Sequence, residues 1–272
     1  MTNSKDYYPR SAVRCLGFVL LIGIFLCGCA TSPTGRTQFL VVSEQSAIAA
    51  SKQAYAAMLA PLAKDNRINT DRVLNQRVRG IADQIVHEAV RMRAETLNWE
   101  WDLQIIDDPE TVNAWAMAGG KMALYTGLIL KIDPSDDELA QVLAHEIAHA
   151  LAKHSAEKMS VSAATNFGMQ SVAIATGNSP VALQGSALIA ALAVSLPNSR
   201  SMETEADRIG IELAAKAGFN PNAAVSLWEK MGKVSGTGQP EFISTHPNPS
   251  ARKAALQALV PTMMPYYEQA NN

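Results

Sequence analysis

One segment limits the folds open to this chain. Ser135-Asp136-Asp137-Glu138 is followed by Leu139, Val142, Leu143, Ile147 and Leu151 at helical spacing. Ser135 and Glu138 form a capping-box pair, and Asp136 and Asp137 suit the positive end of a helix dipole, so a helix starts here. Its apolar stripe demands burial. Inside the stripe stands His145-Glu146-Ile147-Ala148-His149. Histidines four apart share a helix face, so both rings can reach one ion at about 2.0–2.1 Å. Glu146, one position round, can hold a water on that ion but is poorly placed to ligate it. A helix carrying two ordinary histidines is the bland alternative; a Glu at this offset on a capped helix favours metal.

A third ligand is found by elimination. A metzincin continues with glycine at 152 and histidine at 155, where this chain has Ala152 and Ser155. His154 falls one residue early and suits the negative end of the helix dipole. Glu157 lies about 12 Å past His149 along a continuing helix, too far to fold back. No Asp, Glu or His intervenes before Glu203, leaving Glu203, Glu205, Asp207 and His246. Glu203, Asp207, Gly210 and Ala214 share one helix face, with Glu205 roughly opposite as a solvated charge. The small residues let this face pack closely on Ala144, Ala148 and Ala152. Glu203 then reaches the ion, and Asp207 bonds the outer nitrogen of a ligand histidine. The competing reading is a charged helix surface shared with Arg200 and Arg208.

Around these helices the pattern is α+β and helix-dominated, with a small sheet beside the active-site helix. Helices are expected over 43–62 and from Asp71, where Val73, Leu74, Val78, Ile81, Ile85 and Val86 keep helical spacing. Strands are expected near 101–106, at Val112–Met117 and at Met122–Thr126, the last two joined through Gly119-Gly120. Residues 160–196, rich in Ala, Ser and Val, read as a helical hairpin or lid. Further helices are expected over 201–216 with Gly218 as C-cap, from Pro221 to before Gly232, and from Asn248-Pro249 after a Gly/Ser-rich loop at 235–240.

The N-terminus has export layout. Lys5, Arg10 and Arg14 precede an apolar run from Leu16 to Leu26, too short for a comfortable membrane span. Leu26-Cys27-Gly28-Cys29 resembles a bacterial lipobox, which implies lipidation at Cys29 and a membrane anchor. A plain signal peptide or an N-terminal anchor are the alternatives. Ala30-Thr31 after the cysteine, with no aspartate, implies sorting to the outer membrane facing the periplasm. The expected domains are a signal over 1–29, a tether over 30–42 and a catalytic domain over 43–265. All three cysteines fall within the signal, so no disulfide is expected beyond it. A net charge of −2 and the lack of a basic run set nucleic acid aside as a partner.

His145-Glu146-Ile147-Ala148-His149, together with Ser199-Arg200-x-x-Glu203-x-Glu205-Ala206-Asp207-x-x-Gly210, resembles the HtpX-like and BepA-like zinc metallopeptidases, relatives of the CaaX prenyl endopeptidase and the mitochondrial Oma proteases. Asn113-Ala114-Trp115-Ala116, Gly119-Gly120, Tyr125-Thr126-Gly127-Leu128 and Ser244-Thr245-His246-Pro247 also match, so the likeness covers about residues 75–255. It implies a zincin-like fold, one Zn2+ per chain held by His145, His149 and Glu203, polypeptide substrates, and a substrate-binding role for Asn113. The chain is similar to the compact lipoprotein members, without the multiple transmembrane helices or the repeat domain of larger relatives.

Three protein ligands leave a position for water, whose pKa zinc lowers toward neutrality. Glu146 is then the base that takes the water's proton and passes it to the leaving amine. The strand Lys121–Thr126 or Val112–Met117 holds substrate by edge pairing, which reads backbone and suits unfolded or misassembled envelope proteins. His246 either caps the helix begun by Pro249, or reaches the zinc cleft as an oxyanion donor or a gating ligand. Two other readings stay open: a non-catalytic chaperone or assembly factor using the same cleft, and a closed structural zinc site with His246 as fourth ligand.

Overall fold

The computed structural model describes residues 29–175, 197–234, 241–246 and 249–272. The apolar run of the expected signal, the second half of the expected hairpin at 160–196 and the loop at 235–240 lie outside the described residues. Among the described residues no helix is long and apolar enough to cross a membrane.

A three-stranded sheet sits between helical layers. β3 (Asp102–Ile106) pairs in parallel with β5 (Lys121–Tyr125), and β4 (Ala114–Met117) pairs antiparallel with β5, in the order β3-β5-β4. Alternation divides the side chains between two cores. Leu103, Ile105, Ala114, Ala116, Met122 and Leu124 face a core with α2 (Arg72–Met92) and α4 (Asp136–Leu151). Trp115, Met117 and Ala123 face the other, with α1 (Glu44–Lys64) and the start of α5 (His154–Ala175). The β4–β5 turn needs Gly119 and Gly120, at φ +81 and +76. A Cβ at Gly120 would lie 2.5 Å from the Trp101 ring. α3 (Thr126–Ile132) leads from the sheet into α4.

The capping box forms as expected: Glu138 N–H donates to Ser135 Oγ at 3.2 Å, and Ser135 N–H donates to Glu138 Oε2 at 2.9 Å. Every residue of α4 from Glu138 to Leu151 is buried, because α2, the sheet and α6 (Arg200–Lys216) surround it. Gly218, at φ +87, ends α6. α7 (Ala223–Val234) continues through Gly232, three residues past the expected end at Met231. A mid-helix glycine costs roughly 1 kcal/mol, and burial of Leu227, Trp228 and Met231 outweighs it. α8 (Glu241–Thr245) and α9 (Pro249–Ala270) complete the fold.

Residues 30–42 do not behave as a tether. β1 (Cys29–Thr31) and β2 (Thr37–Phe39) form an antiparallel hairpin laid against the helices. The buried Gln38 side chain donates to Ala152 O, at the end of α4, at 2.7 Å. Val41 and Val42 N–H groups donate to Ser160 Oγ at 3.1 and 2.9 Å.

Candidate metal centre

α4 supplies His145 and His149, α6 supplies Glu203, and the segment after α8 supplies His246. One ligand atom from each of these four buried residues falls within 4.8 Å of the others. His145 Nε2 is 3.0 Å from His149 Nε2 and 3.3 Å from Glu203 Oε2; His149 Nε2 is 3.4 Å from Glu203 Oε1. His246 Nδ1 is 3.0 Å from Glu203 Oε1, and its Nε2 is 3.3 Å from Glu146 Oε1. Two imidazoles and a carboxylate turned to one point, with a third imidazole alongside, are a donor set suited to a borderline-soft divalent ion. Among the described residues Glu146 Oε1 is buried without a hydrogen-bond partner, leaving an acceptor in the cleft beside the ligands.

The close approach of α4 and α6 makes this possible. Glu203, Asp207 and Gly210 lie on one face of α6, and the absent side chain of Gly210 lets the helix rest on His145 and Ala144 backbone. Asp207 Oδ1 sits 3.2 Å from His145 Nδ1, so that nitrogen keeps its proton and Nε2 is the one to give its proton up to a metal ion.

The electrostatics match a cation site. Burial would raise Glu203, but the charge of His246 and the nearby His145 and His149 rings hold it well below the usual carboxylate range. Burial and Arg252 push His145 down, yet hydrogen bonds to Asp207 and Glu203 carry it up to about 9. Burial dominates at His149 and lowers it, keeping that ring neutral. Burial also dominates at Glu146 and raises its proton affinity, as a general base requires.

Sequence reasoning missed Arg252. Its Nε donates to Asp207 Oδ2 at 2.8 Å, its Nη2 to Asp207 Oδ1, and its Nη1 lies 2.7 Å from Glu203 Oε2. The guanidinium lies over Trp228, 4.1 Å from the ring centroid. Only the fold brings the first turn of α9 to the ligand helix, and no local pattern marks an arginine there.

Three expectations are overturned. Glu205 is not a solvated charge: it is buried, and it accepts from Arg36 Nε at 2.8 Å and Thr34 Oγ1 at 2.7 Å. His154 does not cap α4: it is fully buried, with Nδ1 2.7 Å from His149 Nδ1 and Nε2 3.1 Å from Glu205 Oε2. A third concerns the strands. β5 is central and paired on both sides, which removes Lys121–Thr126 as an edge. β4 is an edge strand, and Asn113 to Ala116 line the cleft with Glu146, His149 and His246. Asn113 is buried there, its Oδ1 accepting from Ala114 N–H at 2.9 Å. Lys158 lines the same cleft, burial lowering its pKa to about 8. Cys29 stands in β1 opposite Phe39.

A histidine pair on a buried helix, with a carboxylate from a second helix and an edge strand beside them, defines a helix-dominated, zincin-like α+β metallopeptidase domain. Residues 73–260 match the model of peptidase family M48, and the chain belongs to that family. It is 41% identical over 164 residues to the mitochondrial metalloendopeptidase OMA1 of Schizosaccharomyces pombe, covering 60% of this chain and 47% of that protein. It is 29% identical over 251 residues to the human mitochondrial metalloendopeptidase OMA1, covering 88% of this chain and 47% of that protein. It is 29% identical over 206 residues to the beta-barrel assembly-enhancing protease of Yersinia pestis, covering 72% of this chain and 41% of that protein. The chain thus spans less than half the length of these relatives.

Proposed function

We propose that this chain is a zinc-dependent endopeptidase of the bacterial cell envelope that cleaves unfolded or misassembled proteins. The observation that carries the reading is the convergence of His145, His149 and Glu203 beside Glu146, whose buried Oε1 has no hydrogen-bond partner among the described residues. His145, His149 and Glu203 would hold the zinc ion, which when bound supplies Lewis-acid chemistry and makes water acidic near neutral pH. Glu146 takes a proton from the attacking water and gives it to the leaving amine nitrogen. The β4 edge binds a substrate segment in extended form through backbone hydrogen bonds, with Asn113 at its start. Backbone pairing selects chains that can become extended, so folded proteins are poor substrates.

The envelope assignment rests on the N-terminal export pattern ending at Cys29, and is consistent with the likeness to a bacterial assembly-enhancing protease. A lipid on Cys29 would anchor the domain to the membrane by its N-terminal hairpin. Mass spectrometry of the mature N-terminus tests this directly: a start anywhere but a modified Cys29 rejects the anchor.

The activity is tested with an unfolded casein substrate, with and without a chelator, on wild type and Glu146→Gln. Wild type should cleave only with its metal, and Glu146→Gln should be inactive while still binding about one zinc per chain. Zinc loss in Glu146→Gln would overturn the division of roles. Inactive wild type that holds casein unfolded would favour a chaperone.

A further inference from the structure

A buried polar chain runs from the N-terminal hairpin to the metal centre, and the catalytic reading leaves it without a role. Arg36 Nη atoms donate to Glu157 at 2.9 and 2.6 Å, and its Nε donates to Glu205 at 2.8 Å. Gln38 adds a bond to Glu157 at 3.0 Å and Thr34 one to Glu205 at 2.7 Å. Glu205 Oε2 faces His154 Nε2 at 3.1 Å, and His154 Nδ1 faces His149 Nδ1 at 2.7 Å. Gln38, His154, Glu157 and Glu205 are all buried. Polar groups are costly to bury unless paired, so a chain of this length has a stringent geometry to satisfy.

Its protons can be placed. The Glu205 carboxylate only accepts, so His154 Nε2 carries a hydrogen and donates to it. In a neutral ring His154 Nδ1 then has a lone pair and accepts from His149 Nδ1–H. His149 Nε2 is left with its lone pair directed at His145 and Glu203, the state a metal ligand requires. Asp207 does the same for His145 directly. For His149 a histidine is interposed between ligand and carboxylate.

The backbone is bent to allow it. On an unbroken helix, five residues would turn His154 about 140° away from His149. Lys153 instead adopts φ +59, a left-handed conformation unfavourable for a non-glycine residue, and the chain turns His154 back onto His149. Glu205 comes from the far side of α6 to Glu203, so one helix supplies a ligand on one face and this support on another.

We propose that His154 and Glu205 are positioning residues that fix the tautomer and orientation of His149, and that the N-terminal hairpin holds them through Arg36 and Thr34. The hairpin is then part of the metal site, although it contributes no ligand. The inference rests on the metal-centre reading above.

The test uses the full chain and measures zinc affinity by competition with a chromogenic chelator. His154→Ala should weaken zinc binding about 10–100-fold, as loss of a ligand's outer partner does. His154→Asn, whose Oδ1 can accept where Nδ1 does, should recover most of the loss. Arg36→Gln should fall between them. Nitrogen-15 NMR of zinc-loaded wild type should find His154 neutral, with its proton on Nε2. A purely structural role would lower thermal stability without this acceptor dependence. Unchanged affinity in His154→Ala, or a His154 proton on Nδ1 in wild type, overturns the inference and leaves the metallopeptidase intact. Wild type that binds no zinc overturns both. Should His154→Ala fail to fold, Arg36→Gln and the wild-type tautomer still decide.

Discussion

Gly210 rests on the backbone of His145: a Cβ at position 210 would come within 3.0 Å of both N and Cα of His145. That contact sets how deeply α6 sits on α4, and with it the reach of Glu203 and Asp207. Alanine gains about 1 kcal/mol in helix propensity over glycine, whereas overpacking against backbone costs about 1–3 kcal/mol. We expect Gly210→Ala to lose stability overall and to bind metal more weakly. Thermal melts and chelator competition check both; a gain in stability with unchanged affinity would mean that this contact does not position the ligand helix.

Glu203→Ala should lose zinc and proteolysis together. It removes a ligand and also strips Arg252 of a buried counter-charge. Asp207→Asn should keep the site but weaken zinc affinity about 10–100-fold, because it reaches the ion only through His145. Zinc content by atomic absorption, set beside casein cleavage, separates the two. Equal losses in both variants would mean that Asp207 is itself a ligand.

His246 lies among the candidate ligands and 3.3 Å from Glu146. Occupying the position that substrate needs would hold the enzyme off, so His246→Ala should raise basal casein cleavage without lowering zinc stoichiometry. A drop of about 10²-fold or more would instead assign it as a transition-state donor. No change in cleavage or affinity would remove it from the chemistry.

Away from the metal, Glu138 couples the active-site helix to pH. Burial would raise its pKa, but hydrogen bonds from Lys230, Ser226 and the Ser135 backbone outweigh that and lower it. A carboxylate with a depressed folded-state pKa stabilises the fold above its unfolded pKa, near the ordinary carboxylate value. That contribution fades as pH falls through the folded value. Melts of chelator-treated protein should show less acid sensitivity below about pH 4.5 in Glu138→Gln than in wild type, whereas an identical slope would place the acid-sensitive group elsewhere.

The active-site helix, its capping box, the histidine pair and the carboxylate of α6 were legible in the sequence because each rests on short-range periodicity. Spacing alone puts His145 beside His149, and Glu203 one turn from Asp207. The same reasoning misplaced Glu205 and His154. Helix phase shows which way a side chain points, but not what stands there to meet it. Residues 30–42 looked like a tether because a three-residue strand has too little pattern to register, and its partners Glu157 and Glu205 lie more than a hundred residues away. Arg252 was invisible for a similar reason, since its partners come from two other helices. What the sequence by itself determined is the chemistry set by spacing within single helices. The tertiary structure decided which buried charges are paired, because a charge is tolerated in the interior only where distant parts of the chain bring its partners.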